Sequence, residues 1–505
     1  MAAVIPLYPE QEKNTSEEKG KTRQTMKITP KQHRLINWGL IALAIGLRFY
    51  NLGAAPLWYD EAFTDLATSL PLSKMIQALA GDVHPPAHYF MLWAMQRIGL
   101  GSTWGLRLLS ALFSVVSVYL AGHLAREITE DPWIETITIG LMAFAPMNLH
   151  YGQEARMYAL LQLVVLIGLV AIYNRRWAVL TIAAALAALT HTYGLFYCLG
   201  LAVAALLEAR KEWARWIPAF GLAGLIWLPW GIVMLRQMQH LQSSGYWIQP
   251  VTVGRVLRAI EKNLFSFALP SELSLGCQIM MGAGLVVMIV TLARIWKKDN
   301  SWLSLVVLAA LPTLLAVIAS WLYRPVLLFR PLIGSLPMLL ILIAVVIQAQ
   351  EKPGKILAAV IMIPLLIGMA LGYHKYNLIN KADSQPWIEA IREEWQPGSV
   401  VYALNDSSAL AMLHGAPDLP CYKFPDCPDQ ASLGALTPQT REALGIIELP
   451  PDQLPDTYFT ILSLSPVSPL CEVERGHQAA DHDKRIYDIF VSEFVEAGVF
   501  LHESR

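Results

Sequence analysis

Asp60-Glu61 and Asp82-x-His84-Pro85-Pro86 stand about twenty residues apart, just beyond the first apolar run of membrane length. Ionisable groups at that depth are costly and mark a functional path or site. A carboxylate in a partly dry cavity can take a proton from a hydroxyl or bind a cation. A histidine held extended by two prolines can donate to a phosphate or ligate a metal. Asp60 and Glu61 are adjacent, so on a helix they diverge: one faces a cavity, the other makes a structural bond. Each group also has a plainer reading. Asp60 could cap the helix that follows, and the prolines could start another.

Further along, Gln153-Glu154-Ala155-Arg156 ends a span, and His191-Thr192-Tyr193 ends another on the same side. Glu154 and Arg156 are too close in sequence to pair across a helix turn, so one turns into the bundle or both anchor an interface. A lone histidine such as His191 is more often a satisfied helix-end residue than a ligand. Arg330 follows apolar Val326–Phe329. It could snorkel to headgroups, but its depth favours holding a lipid phosphate through two parallel hydrogen bonds.

The elements that must position these groups are membrane helices. Of 505 residues, 55% are hydrophobic and only 15% charged, against about 25% in soluble chains. The excess is gathered into about eleven apolar runs, many near the roughly 20 residues that a span needs. Backbone in lipid must satisfy its own hydrogen bonds, which makes these runs helices. The net charge of −1 comes with no basic patch for nucleic acid. Arg175-Arg176, Arg210-Lys211, Lys297-Lys298 and Lys352 with Lys355 recur on alternate loops, together with the basic N-terminal segment. By the positive-inside rule that side is cytoplasmic. The N-terminus is then cytoplasmic, and the acidic and histidine loops face outward. Residues 1–34 read as a disordered cytoplasmic tail rather than a signal peptide.

Residues 56–103 read as a structured outer loop, with an amphipathic interfacial helix over Pro71–Ala80 and a second helix over Tyr89–Ile98. From 376 to 505 the composition shifts to an extracytoplasmic α/β domain. Helices are expected at Trp387–Trp395 and Ser408–Leu413, and strands at Ser399–Leu404, Thr457–Ser463 and Val499–His502. An amphipathic helix is expected at Arg485–Glu496. One disulfide among Cys421, Cys427 and Cys471 is an open expectation. Cys198 and Cys277 read as packing residues.

Taken in order, the pattern resembles the GT-C membrane glycosyltransferases. It comprises an acidic pair after the first span, then Asp82-x-His84-Pro85-Pro86, then Gly101-x-x-x-x-x-Arg107-Leu108-x-Ser110. Gln153-Glu154-Ala155-Arg156-x-Tyr158, His191-Thr192-Tyr193-Gly194 and the Arg330 segment running into Leu336-Pro337 complete it. The likeness is to the branch of protein O-mannosyltransferases, aminoarabinose transferases and family-39-like bacterial enzymes, over residues 35–375. It implies a polytopic α-helical GT-C domain in the cytoplasmic (inner) membrane. It also implies a sugar donor on a polyprenyl phosphate, and a lipid, glycan or protein acceptor on the outer face. Asp60 matches the catalytic carboxylate. Glu61, Asp82, His84, Glu154, Arg156, His191 and Arg330 are then substrate-binding candidates. A divalent cation, Mg or Mn, on Asp60, Asp82 and His84 is a further expectation. The family often has Arg-Tyr where this chain has Arg330-Pro331. A transporter or flippase of a lipid-linked sugar is the alternative, although such proteins place ionisable groups near the midplane and commonly show internal repeats. A scaffold presenting the outer domain would leave Asp60 and His84 unused.

Overall fold

The computed structural model describes residues 29–243, 248–266, 269, 271–296, 302–349, 362–371, 384–425, 436–463, 484–492 and 495–503. Each apolar run read from the sequence carries a helix: α1 (Pro30–Phe49), α5 (Thr103–Thr129), α6 (Pro132–Phe144), α8 (Tyr158–Tyr173), α9 (Trp177–Thr190), α10 (Gly194–Glu208), α11 (Trp213–Ser243), α13 (Ser271–Trp296), α14 (Leu303–Leu322), α15 (Leu336–Ala349) and α16 (Met362–Leu371). Among the described residues, five helical segments are long and apolar enough to cross a membrane: Thr103–Thr129, Arg210–Gln239, Glu272–Arg294, Leu303–Leu322 and Arg330–Ala349. α1 begins at Pro30, inside the segment expected to be a tail. Thr29 accepts from the Gln32 backbone while the Gln32 side chain bonds back to the Thr29 N–H, a reciprocal cap that starts the helix early.

The long loop between α1 and α5 folds into α2 (Tyr59–Ser69), α3 (Leu72–Gly81) and α4 (Ala87–Arg97). The two expected loop helices are therefore present. The α2 N-cap is Trp58, with no side-chain cap bond, so Asp60 lies in the first turn and is not the cap.

α6 ends at Phe144 and α7 (Pro146–Gly152) follows. Pro146 has no N–H to give, which leaves the Met142 carbonyl four residues back unpaired within the helix. Buried Arg48 of α1 supplies donors at this break: Nη2 to Met142 O at 3.0 Å, Nη1 to Ala143 O at 2.7 Å and Nε to Ser114 Oγ at 2.9 Å. A cation here also opposes the negative end of the α6 dipole. One side chain thus ties α1, α5 and α6 together beneath the long loop.

The C-terminal domain is a six-stranded sheet in the order β3-β2-β1-β4-β6-β5. Its strands are β1 (Val400–Ala403), β2 (Cys421–Lys423), β3 (Ile447–Glu448), β4 (Thr457–Ser463), β5 (Lys484–Ser492) and β6 (Val495–Glu503). The first four are parallel, and β6 and β5 add on antiparallel. α17 (Gln385–Glu393), α18 (Asp406–Gly415) and α19 (Pro438–Leu444) accompany the sheet. The helix expected over Arg485–Glu496 is instead β5 and the start of β6. Ile486, Tyr487, Ile489, Phe490 and Val491 are strand formers, and β6 finds a partner along the whole of β4. The proposed disulfide partners Cys427 and Cys471 lie outside the described residues.

Candidate active site

Helix α2 enters the protein with its first turn against the start of α5. Glu61 is fully buried and meets Arg107 in a bidentate pair, Nε to Oε1 at 2.8 Å and Nη2 to Oε2 at 2.7 Å. Ala155 N–H donates a third bond to Glu61 Oε1 at 2.8 Å. The remaining Arg107 donors go to the carbonyls of Leu52, Ala55 and Pro56. These bonds give Glu61 an anchoring place between α2, α5 and the Ala155 backbone. The Arg107 that sits inside a family-like motif is its partner.

With Glu61 fixed inward, its neighbour Asp60 faces the other way. Asp60 Oδ2 accepts from Arg330 Nη1 at 3.1 Å and lies 3.7 Å from Arg156 Nη2. Arg156 is buried and reaches four groups of the long loop. It donates through Nη1 to Asp60 O at 3.1 Å, Thr64 Oγ1 at 3.2 Å and Tyr89 Oη at 3.3 Å, and through Nη2 to His84 Nε2 at 3.1 Å. His84 Nδ1–H then donates to Asp82 Oδ2 at 2.6 Å. These contacts set the imidazole tautomer, with its proton on Nδ1 and its acceptor turned to Arg156. The pairing with His84, aided by the Val83 N–H and Arg156, outweighs burial and holds the Asp82 carboxyl below its ordinary range.

Arg330 is placed by the backbone that follows it. Residues Arg330–Ser335 form a short 3-10 helix leading into α15. Tyr197 Oη donates to Pro331 O at 2.9 Å, Asn263 Nδ2 to Leu332 O at 3.0 Å and Gln162 Nε2 to Ile333 O at 3.1 Å. Three successive carbonyls are thus held by three helices: α10, α12 (Val253–Phe265) and α8. A Cβ on Gly334 would come within 2.6 Å of the Tyr197 ring, so glycine allows this close approach. The Arg330 guanidinium lies 5.4 Å from the centre of the Trp58 ring, a cation–π distance. Pro331 contributes its carbonyl and no aromatic ring.

Asp60, Asp82, His84, Arg156 and Arg330 therefore converge. Glu154 and His191 sit behind them. Glu154 is fully buried and has no hydrogen-bond partner for either oxygen among the described residues, with His150 Nε2 3.2 Å away. His191 is the C-cap of α9, and its Nδ1 accepts from Tyr193 N–H at 3.0 Å. It takes the helix-end role, with its ring 5.8 Å from that of Tyr158. Thr64, Tyr89 and Trp58 were not picked out from the sequence. Thr64 was findable, being one helical turn from Asp60 on the same face.

Among the described residues no three His, Cys, Asp or Glu side chains are grouped so as to hold a metal ion. Asp82 and His84 are committed to each other, and Arg156 contacts both His84 and Asp60. The set Asp60, Asp82 and His84 does not fit a divalent cation in this arrangement.

Burial pushes the imidazoles of His88 and His191 down to about 3, each also opposed by Arg156 and His84. Both are neutral in the fold, whereas an unfolded histidine titrates near 6.5. Below that pH the unfolded chain binds protons that the folded chain does not, so stability falls as pH falls. Stability is expected to fall by on the order of 1 kcal/mol per histidine per pH unit below about pH 6.5, so the thermal midpoint of the purified protein is expected to be lower at pH 5 than at pH 7. A midpoint unchanged over that interval would contradict the neutral assignment.

The profile of the dolichyl-phosphate-mannose-protein mannosyltransferase family matches residues 83–232, a stretch holding His84, Arg107, Glu154, Arg156 and His191. Over this stretch the chain is similar to that family. The fold of this chain is similar to that of ArnT from Cupriavidus metallidurans in the apo state, with a TM-score of 0.62 at 12% identity. That likeness covers 93% of this chain and 98% of the other. The structure of the same ArnT bound to undecaprenyl phosphate matches with a TM-score of 0.59 at 12% identity, covering 92% and 97%. No curated protein sequence matches the chain.

Proposed function

We propose that this protein is a GT-C glycosyltransferase that moves a sugar from a polyprenyl phosphate to an acceptor hydroxyl on the outer face of the cytoplasmic membrane, in a single inverting displacement. The observation that carries the reading is the contact of Asp60 with Arg330 at 3.1 Å, beside a second guanidinium. A phosphate entering this cluster competes with Asp60 for Arg330. Once Arg330 turns to the phosphate, the carboxylate is free to accept the hydrogen bond of an acceptor hydroxyl. The acceptor oxygen bonds to the anomeric carbon, the bond from that carbon to the phosphate oxygen breaks, and its electron pair leaves with the polyprenyl phosphate. The hydroxyl proton goes to Asp60. Arg330 and Arg156 offset the negative charge that grows on the leaving group.

The chain of Asp82, His84 and Arg156 orients the second guanidinium. Glu154, paired through Oε1 with His150, adds a buried carboxylate behind the two guanidinium groups. The N-terminus and the basic loops lie in the cytoplasm, and the α/β domain stands outside. The family profile and the lipid that ArnT binds support a polyprenyl-linked donor. The test is to incubate the purified protein with polyprenyl-phosphate sugars and assay free polyprenyl phosphate, with and without a divalent cation. Release that depends on an added acceptor supports the reading, and no release with any such donor refutes it.

Arg330→Ala removes a charge-assisted contact to phosphate of about 1.5–3 kcal/mol. That corresponds to a donor KM raised roughly 10- to 150-fold, with acceptor KM little changed. An unchanged donor KM would show that Arg330 only snorkels.

A further inference from the structure

The outer domain rests directly on the two helices that carry the site. α18 packs on α2 and α19 packs on α3. His414, at the end of α18, places Nδ1 2.9 Å from Asp65 Oδ2, little more than one turn beyond Asp60. From α19, Thr440 Oγ1 donates to Ala78 O at 2.9 Å, and Gln439 Nε2 donates to Gln77 O at 3.1 Å. The Ala78 carbonyl is also an acceptor for the backbone N–H of Asp82, at 3.2 Å. One oxygen thus receives both an outer-domain hydroxyl and the amide that opens the Asp82-Val83-His84 turn.

The fit at this point is close. A Cβ on Gly81 would run into Thr440 Oγ1 and stand 2.6 Å from Thr437 Oγ1. The two docking helices are also tied to each other. Buried Arg441 of α19 holds Asp406 of α18 through Nε at 2.9 Å and Nη2 at 3.0 Å, and Leu436 N–H donates to the same carboxylate at 2.8 Å. α18 and α19 therefore press on α2 and α3 as one unit. On the opposite side α2 is fixed by the Arg107–Glu61 pair and by Arg156.

We propose that α18 and α19 of the outer domain brace the active site, with His414 and Thr440 as positioning residues that act through α2 and α3 on Asp60 and on Asp82-His84. This rests on the glycosyl-transfer reading given above. Reaction rates fall by about a hundredfold when a catalytic group is displaced by roughly 1 Å, so even partial loosening of the brace has a measurable effect. Because Arg330 is anchored by other helices, loosening affects the chemical step more than donor capture.

The test compares two double variants of the full-length protein. His414→Ala with Thr440→Val removes both donors at little cost in volume at Thr440. His414→Asn with Thr440→Ser retains a side-chain N–H near the Nδ1 position and keeps the hydroxyl. The first is expected to lower kcat about tenfold, with donor KM within about twofold of the parent and an unchanged thermal midpoint. The second is expected to keep kcat within about twofold of the parent. Hydrogen exchange at the amides of residues 59–69 and 82–84 is expected to quicken in the first variant alone. A parental kcat in the first variant, or equal losses in both, overturns the brace. Should the parent transfer no sugar from any polyprenyl phosphate, the functional reading fails on that result. The brace is then judged by exchange, and identical exchange in parent and first variant overturns it.

Discussion

Asp60→Asn is expected to reduce transfer by about 10³-fold, within the range seen when a general base is removed, while the protein stays folded. The amide keeps the shape of the carboxylate and its oxygen can still accept from Arg330, while Arg156 keeps its bond to the Asp60 backbone carbonyl, so the cluster does not collapse. The affinity for polyprenyl phosphate is expected to stay the same or to tighten. In the parent the phosphate must take Arg330 from a charged carboxylate 3.1 Å away, and in the variant that competitor is neutral. Tighter lipid binding with lost turnover separates a base from a simple binding residue, whose loss weakens both. Retention of more than about a tenth of the activity would end the assignment, because base catalysis is worth at least about 10²-fold.

The largest expected effect on stability comes from Arg107→Ala. Glu61 is fully buried and Arg107 nearly so. Removing the guanidinium leaves a buried carboxylate with the Ala155 amide and also strands the carbonyls of Leu52, Ala55 and Pro56. Breaking one side of such a pair costs about 3–5 kcal/mol, whereas replacing both partners by apolar residues is often close to neutral. Arg107→Ala is therefore expected to lower the thermal midpoint and the yield sharply. Glu61→Met with Arg107→Leu is expected to recover much of the loss. A single variant within about 1 kcal/mol of the parent would show that water or a nearby group reaches Glu61.

The parts of this protein that were legible in the sequence are those set by local pattern. Apolar runs of membrane length predict helices because lipid leaves the backbone no other partner, and each such run carries one. The loop helices follow from their amphipathic spacing. The convergence of Asp60, His84, Arg156 and Arg330 was legible only through the order of motifs, since no local rule brings residue 330 to residue 60. Spacing also predicted that Asp60 and Glu61 diverge, but not which one would turn inward. Arg107, 46 positions from Glu61, decides that. The pairing of His84 was hidden for a similar reason, because Arg156 arrives from a distant turn and takes its acceptor. Arg485–Glu496 misled because a short segment of β-branched and aromatic residues has no fixed fate until a neighbouring strand offers its edge. The docking of α18 and α19 on the outer loop left no local trace. It depends on a glycine at 81 and a threonine at 440 meeting across 359 positions of chain.

The account turns on a lipid phosphate displacing Asp60 from Arg330, and the most direct measurement is an experimental structure of the protein with polyprenyl phosphate bound in a lipid nanodisc. The predicted result is phosphate density within about 3 Å of the Arg330 guanidinium, with Arg156 alongside and the Asp60 carboxylate released toward an open space beside the phosphate. A phosphate bound elsewhere, with Arg330 still on Asp60, would contradict it.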